Sequence, residues 1–164
     1  QLHRRQRQMC IRDRLDIGLR YGEAFQRKIA TLEGVHRATL AGSARRRKDT
    51  IGDLDVVVAV DEDDHEAVAN AILNLPGIAD VKGAGDSKIS LILDTTIFDD
   101  SFTVGHIDAN VLDAIGGDDY EQLEAGGTID AQVRLVPPHV EPFTLAYFTG
   151  SKEHNIAMLS LIHI

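Results

Sequence analysis

Residues 41–60, AGSARRRKDTIGDLDVVVAV, constrain the chain more than any other stretch. The apolar run at 56–60 has the β-branched composition of a buried strand, and two carboxylates, Asp53 and Asp55, stand one residue apart at its mouth. Side chains alternate along a strand, so Asp53 and Asp55 share one face while Leu54 points into a core. Like charges this close repel, and each raises the other's pKa unless a cation stands between them. Hard carboxylate oxygens suit magnesium, which keeps several waters and is completed by substrate phosphates. Upstream lie Gly42 and Ser43, whose backbone N–H groups suit phosphate oxygens if the turn opens a helix. Arg45, Arg46, Arg47 and Lys48 follow, and arginine forks match phosphate geometry in pairs. Taken singly, an acid pair at a strand start and a run of arginines are ordinary solvated surface. Together on one strand-turn-strand unit they point to phosphoryl or nucleotidyl transfer.

Composition narrows the setting. A chain of 164 residues with 43% apolar content fits one domain with a real core. Net charge is −9, the wrong sign for a protein that grips nucleic acid over its whole surface, so any such contact is local. The single cysteine, Cys10, excludes an internal disulfide framework and points to a reducing compartment, with cytoplasm as the expected location. No apolar run reaches the ~20 residues needed to cross a bilayer, so no membrane partner is expected.

Along the chain, residues 1–14 are rich in arginine, and QMCIRDR at 8–14 resembles translated sequencing-adapter sequence, as does LSLIHI at 159–164. Both ends are therefore set aside as non-native or disordered tails. Apolar positions at Leu15, Leu19, Phe25, Ile29 and Leu32 predict an amphipathic helix over 15–32. A strand at 35–40, a helix at 65–75 and strands at 78–81 and 88–93 follow, with the glycines of 82–86 read as a connection. Residues 94–128 hold nine acids and neither lysine nor arginine, which reads as a solvated acidic insertion; short helices are expected at 110–115 and 119–123. A strand at 129–136 and a short helix at 142–147, packing Phe143, Leu145 and Ala146 inward, complete the pattern.

The pattern Gly42-Ser43, Arg46, Gly52-Asp53-Leu54-Asp55 resembles the palm of the DNA polymerase X family, the polymerase beta-like nucleotidyltransferases, most closely its bacterial members. The string Tyr147-Phe148-Thr149-Gly150-Ser151, followed by His154-Asn155, resembles the start of that family's thumb. The resemblance covers residues 15–158 and implies a palm over 15–146, with the thumb beginning at 147–158. It implies an α/β (α+β) fold, a mixed or antiparallel sheet with helices mainly on one face. The implied activity is transfer of a nucleotide from a dNTP to a primer 3′-hydroxyl in DNA repair, on gapped or primed DNA, with two Mg2+ ions. By resemblance Asp53 and Asp55 hold the metals, Gly42, Ser43, Arg46 and Gly52 bind the triphosphate, and Tyr147 and Phe148 flank the sugar. Gly150 belongs to an unusual turn and Asn155 reaches the base edge. Lys88 and Arg134 are the DNA-binding residues the resemblance implies: Lys88 matches a lysine near the DNA, although an exposed strand lysine is an equal reading, and Arg134 matches the arginine that follows the family's third acid by two residues. Helix-hairpin-helix and PHP domains that flank the palm in bacterial relatives are expected in a full-length protein.

One departure touches catalysis. The family's third metal-binding acid lies two residues before the arginine matched by Arg134, where this chain has Gln132. Asp130 shares the strand face but lies about 6.8 Å away at ~3.4 Å per residue, so it takes the catalytic place only if a bulge brings it into register. The rival readings are a non-catalytic palm that binds nucleotide or DNA for a neighbouring nuclease domain, and another nucleotidyltransferase with the same acid pair.

Overall fold

The computed structural model describes residues 13–94 and 127–162. In chain order the elements are β1 (Asp13–Arg14), α1 (Leu15–Ala30), β2 (Val35–Leu40), α2 (Gly42–Arg45), β3 (Thr50–Ile51), β4 (Asp53–Val60), a 3-10 turn (Glu62–Asp64), α3 (His65–Leu73), β5 (Ile78–Ala84), β6 (Lys88–Asp94), β7 (Thr128–Val136), α4 (Glu141–Thr149) and α5 (Lys152–Ile162). Five strands form one mixed sheet in the order β2-β4-β7-β6-β5. The central pair β4 and β7 is parallel, and every other neighbour is antiparallel. This is the α+β layout of a nucleotidyltransferase-like palm.

The sheet has two unlike faces because its strands alternate. Leu54, Val56, Val58 and Val60 of β4 join Ile89, Leu91, Leu93, Ile129, Ala131, Val133 and Leu135 in one buried cluster. Phe25 and Ile29 of α1 and Val68 and Ile72 of α3 close it from above, all at most 1% exposed. Each such side chain contributes about 1.5–3 kcal/mol on leaving water, so the helices are held by their apolar stripes rather than by intrinsic propensity. On the opposite face Val57 and Ala59 are also buried, on the strand that α4 contacts. The first half of β4 on that face carries Asp53 and Asp55, both partly exposed.

The segment read as a tail reaches into the fold at its end, where Asp13 and Arg14 pair with Ile51 and Thr50. The glycine connection is shorter than expected: Lys82 and Gly83 lie inside β5, and Gly85, Asp86 and Ser87 form the turn. Helix α4 also differs from its expected packing. Phe143 is 76% exposed, Ala146 is exposed and Leu145 only half-buried, whereas the buried side chain is Glu141. The cause is polar anchoring: Glu141 Oε2 accepts a bond from Arg37 Nη2 at 2.8 Å, so the helix docks by its first turn rather than by an apolar stripe. The acidic segment expected as an insertion, with its helices at 110–115 and 119–123, lies outside the described residues apart from its ends, where Asp94 pairs with Thr128.

Beyond α2 the chain turns through Arg47, an exposed non-glycine residue at φ +52°. An L-residue there carries about 1–2 kcal/mol of strain, partly offset in a glycine by the entropy it loses on folding. Arg47→Gly is expected to stabilise the protein by about 0.5 kcal/mol, read as a higher urea midpoint at unchanged slope.

Candidate functional site

The register of β4 on β7 assembles the open face. Asp53 lies beside Asp130, Asp55 beside Gln132, and Val57 beside Arg134, and the pairing runs without interruption from Asp53 to Ala59. No bulge moves Asp130 into the place beside Asp55; Gln132 holds it. On the far side of β7, β6 brings Ser90 beside Gln132 and Lys88 beside Arg134. The face therefore reads Asp53 and Asp55, then Asp130, Gln132 and Arg134, then Lys88 and Ser90. Lys82, from the edge strand β5, reaches Asp130 with its Nζ 2.6 Å from Oδ1.

Asp55 is the most perturbed group of the set. Partial burial, and next the charge of Asp53, push its carboxyl up from 3.8 to about 6, against the pull of Arg134, Arg46 and Lys88. Gly42 explains how tightly it is held. That glycine sits at φ +59° with Asp55 packed against it: a Cβ there would overlap Asp55 Oδ2 and lie 3.1 Å from Cγ. The backbone joins the two as well, since Ala41 N–H donates to the Asp55 carbonyl at 2.8 Å.

The sign of the linkage follows from the direction. Asp55 binds its proton more tightly folded than unfolded, so its contribution to stability is whole below the ordinary 3.8 and is lost as pH rises through about 6. Moving a fully sequestered carboxyl from 3.8 to about 6 is worth about 3 kcal/mol, and one side open to solvent reduces this to about 1–2 kcal/mol. In the absence of divalent cation, Asp55→Asn is expected to be more stable than wild type by that amount at pH 7.5. The gap closes as the pH falls towards 4, which urea titrations at both pH values measure.

Two arginines close the site from the side of α4. Arg46 Nη1 donates to the carbonyl of Thr149 at 2.7 Å and to that of Gly150 at 3.3 Å, tying the α2 turn to the end of α4. Arg134 stacks its guanidinium over the Phe148 ring, 4.7 Å from the centroid, and Phe148 meets Tyr147 edge-to-face at 5.2 Å. Tyr147 itself is 55% exposed. Arg46 Nε, Arg134 Nε and Thr149 Oγ1 are buried with no hydrogen-bond partner, three of four such side-chain atoms among the described residues. Orphaned donors of this kind are costly unless a ligand satisfies them, and two of them belong to guanidinium groups suited to a phosphate.

The turn between α4 and α5 is self-locked. Asn155 Nδ2 donates to the Tyr147 carbonyl at 2.7 Å, and its Oδ1 would lie 2.7 Å from a Cβ built on Gly150. Asn155 thus spends its amide on the backbone. Gly52 is exposed with open space around it, and Ser43 is half-buried in α2. The expected residues Gly42, Ser43, Arg46, Asp53, Asp55, Lys88, Asp130, Arg134, Tyr147, Phe148, Gly150 and Asn155 lie on the sheet's open face, on α2 and the residue that ends it, on α4 and the turn after it, or, for Asn155, in the first turn of α5. Sequence reasoning missed Lys82, Arg37 and Glu141. Gly83 inside a strand was a signal for the first, since such a glycine often marks a bulge; the other two carry none.

A divalent cation fits Asp53 and Asp55: both are hard carboxylates on one face, and Gly42 leaves Asp55 Oδ2 the room it takes. Among the described residues no three His, Cys, Asp or Glu side chains are gathered as a cation cage, so oxygens from an anionic substrate would complete the shell. Two grooves among the described residues, of about 440 and 650 Å3, meet at Thr39 and Arg45; neither is lined by Asp53 or Asp55, although the larger reaches Thr149 and Gly150 at the end of α4. The acids face open solvent, a geometry suited to a large ligand rather than an enclosed small molecule. No helix among the described residues is long and apolar enough to cross a membrane.

No family model matches the chain. It is similar to a protein of Bacillus subtilis named DNA polymerase/3′-5′ exonuclease PolX, 33% identical over 149 residues. The matched region covers 89% of this chain and 20% of that protein, so the chain spans about a fifth of its relative's length. The likeness supports a distant relationship to the X-family polymerases.

Proposed function

We propose that the chain is the palm, with the beginning of the thumb, of an X-family type DNA polymerase, transferring a nucleotide from a dNTP to a primer 3′-hydroxyl on gapped or primed DNA. The observation that carries this reading is the acid pair Asp53 and Asp55 on an open sheet face, opposite two arginines whose buried Nε atoms have no partner. Magnesium held by Asp53 and Asp55 would neutralise the triphosphate and clamp the reacting oxygens. The chain's own part is positioning and charge. Arg46 and the backbone at Gly42 and Ser43 receive phosphate oxygens, Tyr147 and Phe148 wall the sugar, and Lys88 and Arg134 place positive charge beside the DNA backbone. Gln132 supplies no carboxylate beside Asp55, so the proton of the attacking hydroxyl must leave by way of Asp130 or solvent, and the chemical step is slow. DNA repair is the setting this reading implies, and further domains of a longer protein would supply the rest of the DNA grip.

Equilibrium titration of a fluorescent dNTP with and without Mg2+ tests it. Asp53→Asn is expected to weaken Mg2+-dependent binding more than tenfold; binding indifferent to both Mg2+ and this substitution sinks the reading. Primer extension on gapped DNA then separates a slow polymerase from a palm that binds without turnover.

A further inference from the structure

We propose that Lys82 holds Asp130 in an internal ion pair that limits the acid face to one divalent cation, at Asp53 and Asp55; this rests on the function proposed above. Three observations join here. First, Asp130 lies beside Asp53 in the parallel β4–β7 pair, so these two carboxylates are neighbours on one face. Secondly, Lys82 Nζ stands 2.6 Å from Asp130 Oδ1, across the intervening strand β6. Thirdly, the β5–β6 pairing jumps at this residue: Val81 pairs with Leu91 and Gly83 with Ser90, which leaves Lys82 as the extra residue of a β-bulge. Bulges re-aim a side chain and recur beside functional sites. Leu91 points into the core and Ser90 to the open face, and from the bulge the lysine reaches across β6 to Asp130 on β7.

The ion pair is half-exposed at both ends, so it adds little to stability. Its consequence is electrostatic and local. A fixed ammonium on Asp130 satisfies one carboxylate oxygen and opposes any cation approaching between Asp53 and Asp130, an effect of about five- to tenfold in affinity at these separations. Lys82 is thus a positioning residue: it withholds Asp130 from cation binding and leaves Asp53 and Asp55 as the ligand pair.

The test is Mn2+ binding to the full chain without nucleotide or DNA, counted from the electron paramagnetic resonance signal of unbound Mn2+. Wild type and Lys82→Arg are expected to bind one Mn2+ per chain. Lys82→Met is expected to bind a second, and Lys82→Met with Asp130→Asn to return to one. Lys82 and Asp130 lie on the solvent side of the sheet, and circular dichroism spectra matching wild type confirm that each variant is folded. Two Mn2+ in wild type, or one in Lys82→Met, overturns the proposal, as does a loss of wild-type affinity in Asp130→Asn as large as that in Asp53→Asn. If Asp53→Asn loses its Mn2+ and Lys82→Met still binds one, only the role of Lys82 falls. If Asp53→Asn keeps wild-type affinity, the acid pair is no cation site and the proposed function falls with it.

Discussion

Gln132→Asp is expected to raise primer extension on the order of 100-fold, the largest gain available from one substitution in this site. Position 132 lies in register with Asp55 on the adjacent parallel strand, so a carboxylate there meets the acid pair without moving the backbone. The same change has an opposite signature in the cation-free protein. A third acid beside a partly buried carboxylate adds repulsion, and like charges on facing strand positions cost about 0.2–1 kcal/mol. The variant should therefore unfold at lower urea than wild type in EDTA and at higher urea in millimolar Mg2+. Activity unchanged, with the cation-free cost present, would show that Gln132 is not what slows the chemical step.

Gly42→Ala is expected to remove Mg2+-dependent nucleotide binding and to destabilise the fold by about 2–3 kcal/mol. Two effects add at this residue. Its φ of +59° disfavours any side chain, and the new Cβ would overlap Asp55 Oδ2. The overlap makes the effect specific: Asp55 must rotate away or β4 must shift, and either change separates the acid pair. Combining Gly42→Ala with Asp55→Ala removes the overlap and leaves the backbone strain. The double variant should regain about half of the lost stability but none of the binding, and urea titration beside dNTP titration separates the two.

Where apolar periodicity carried the signal, the sequence sufficed. β2 spans residues 35–40 as read, β4 alternates its acids and its core residues as read, and α3 buries Val68 and Ile72. The glycine–serine turn, the acid pair and the aromatic string likewise lie around one open face. What escaped was polar. Glu141 is 2% exposed and Phe143, two residues on, is 76% exposed, the reverse of what hydrophobicity alone dictates. A buried carboxylate is tolerated because Arg37 meets it, and that partner is 104 residues distant in sequence. Lys82 escaped for a related reason, because its role arises from a bulge and an ion pair 48 residues apart. The place of Asp130 needed the register itself, which no single strand encodes.

That register also limits how such a site changes through descent. On β7, Ile129, Ala131, Val133 and Leu135 are buried while Asp130, Gln132 and Arg134 face the other way. A slip of one residue would bury the charges. A slip of two keeps the faces but drives Ile129 into the space fitted to Ala131, and overpacking of that kind costs about 1–3 kcal/mol. Neither slip carries Asp130 into the place of Gln132 without burying charge or straining the core. A carboxylate reaches the place beside Asp55 most directly by substitution at position 132 itself, where the backbone that would present it already stands in register.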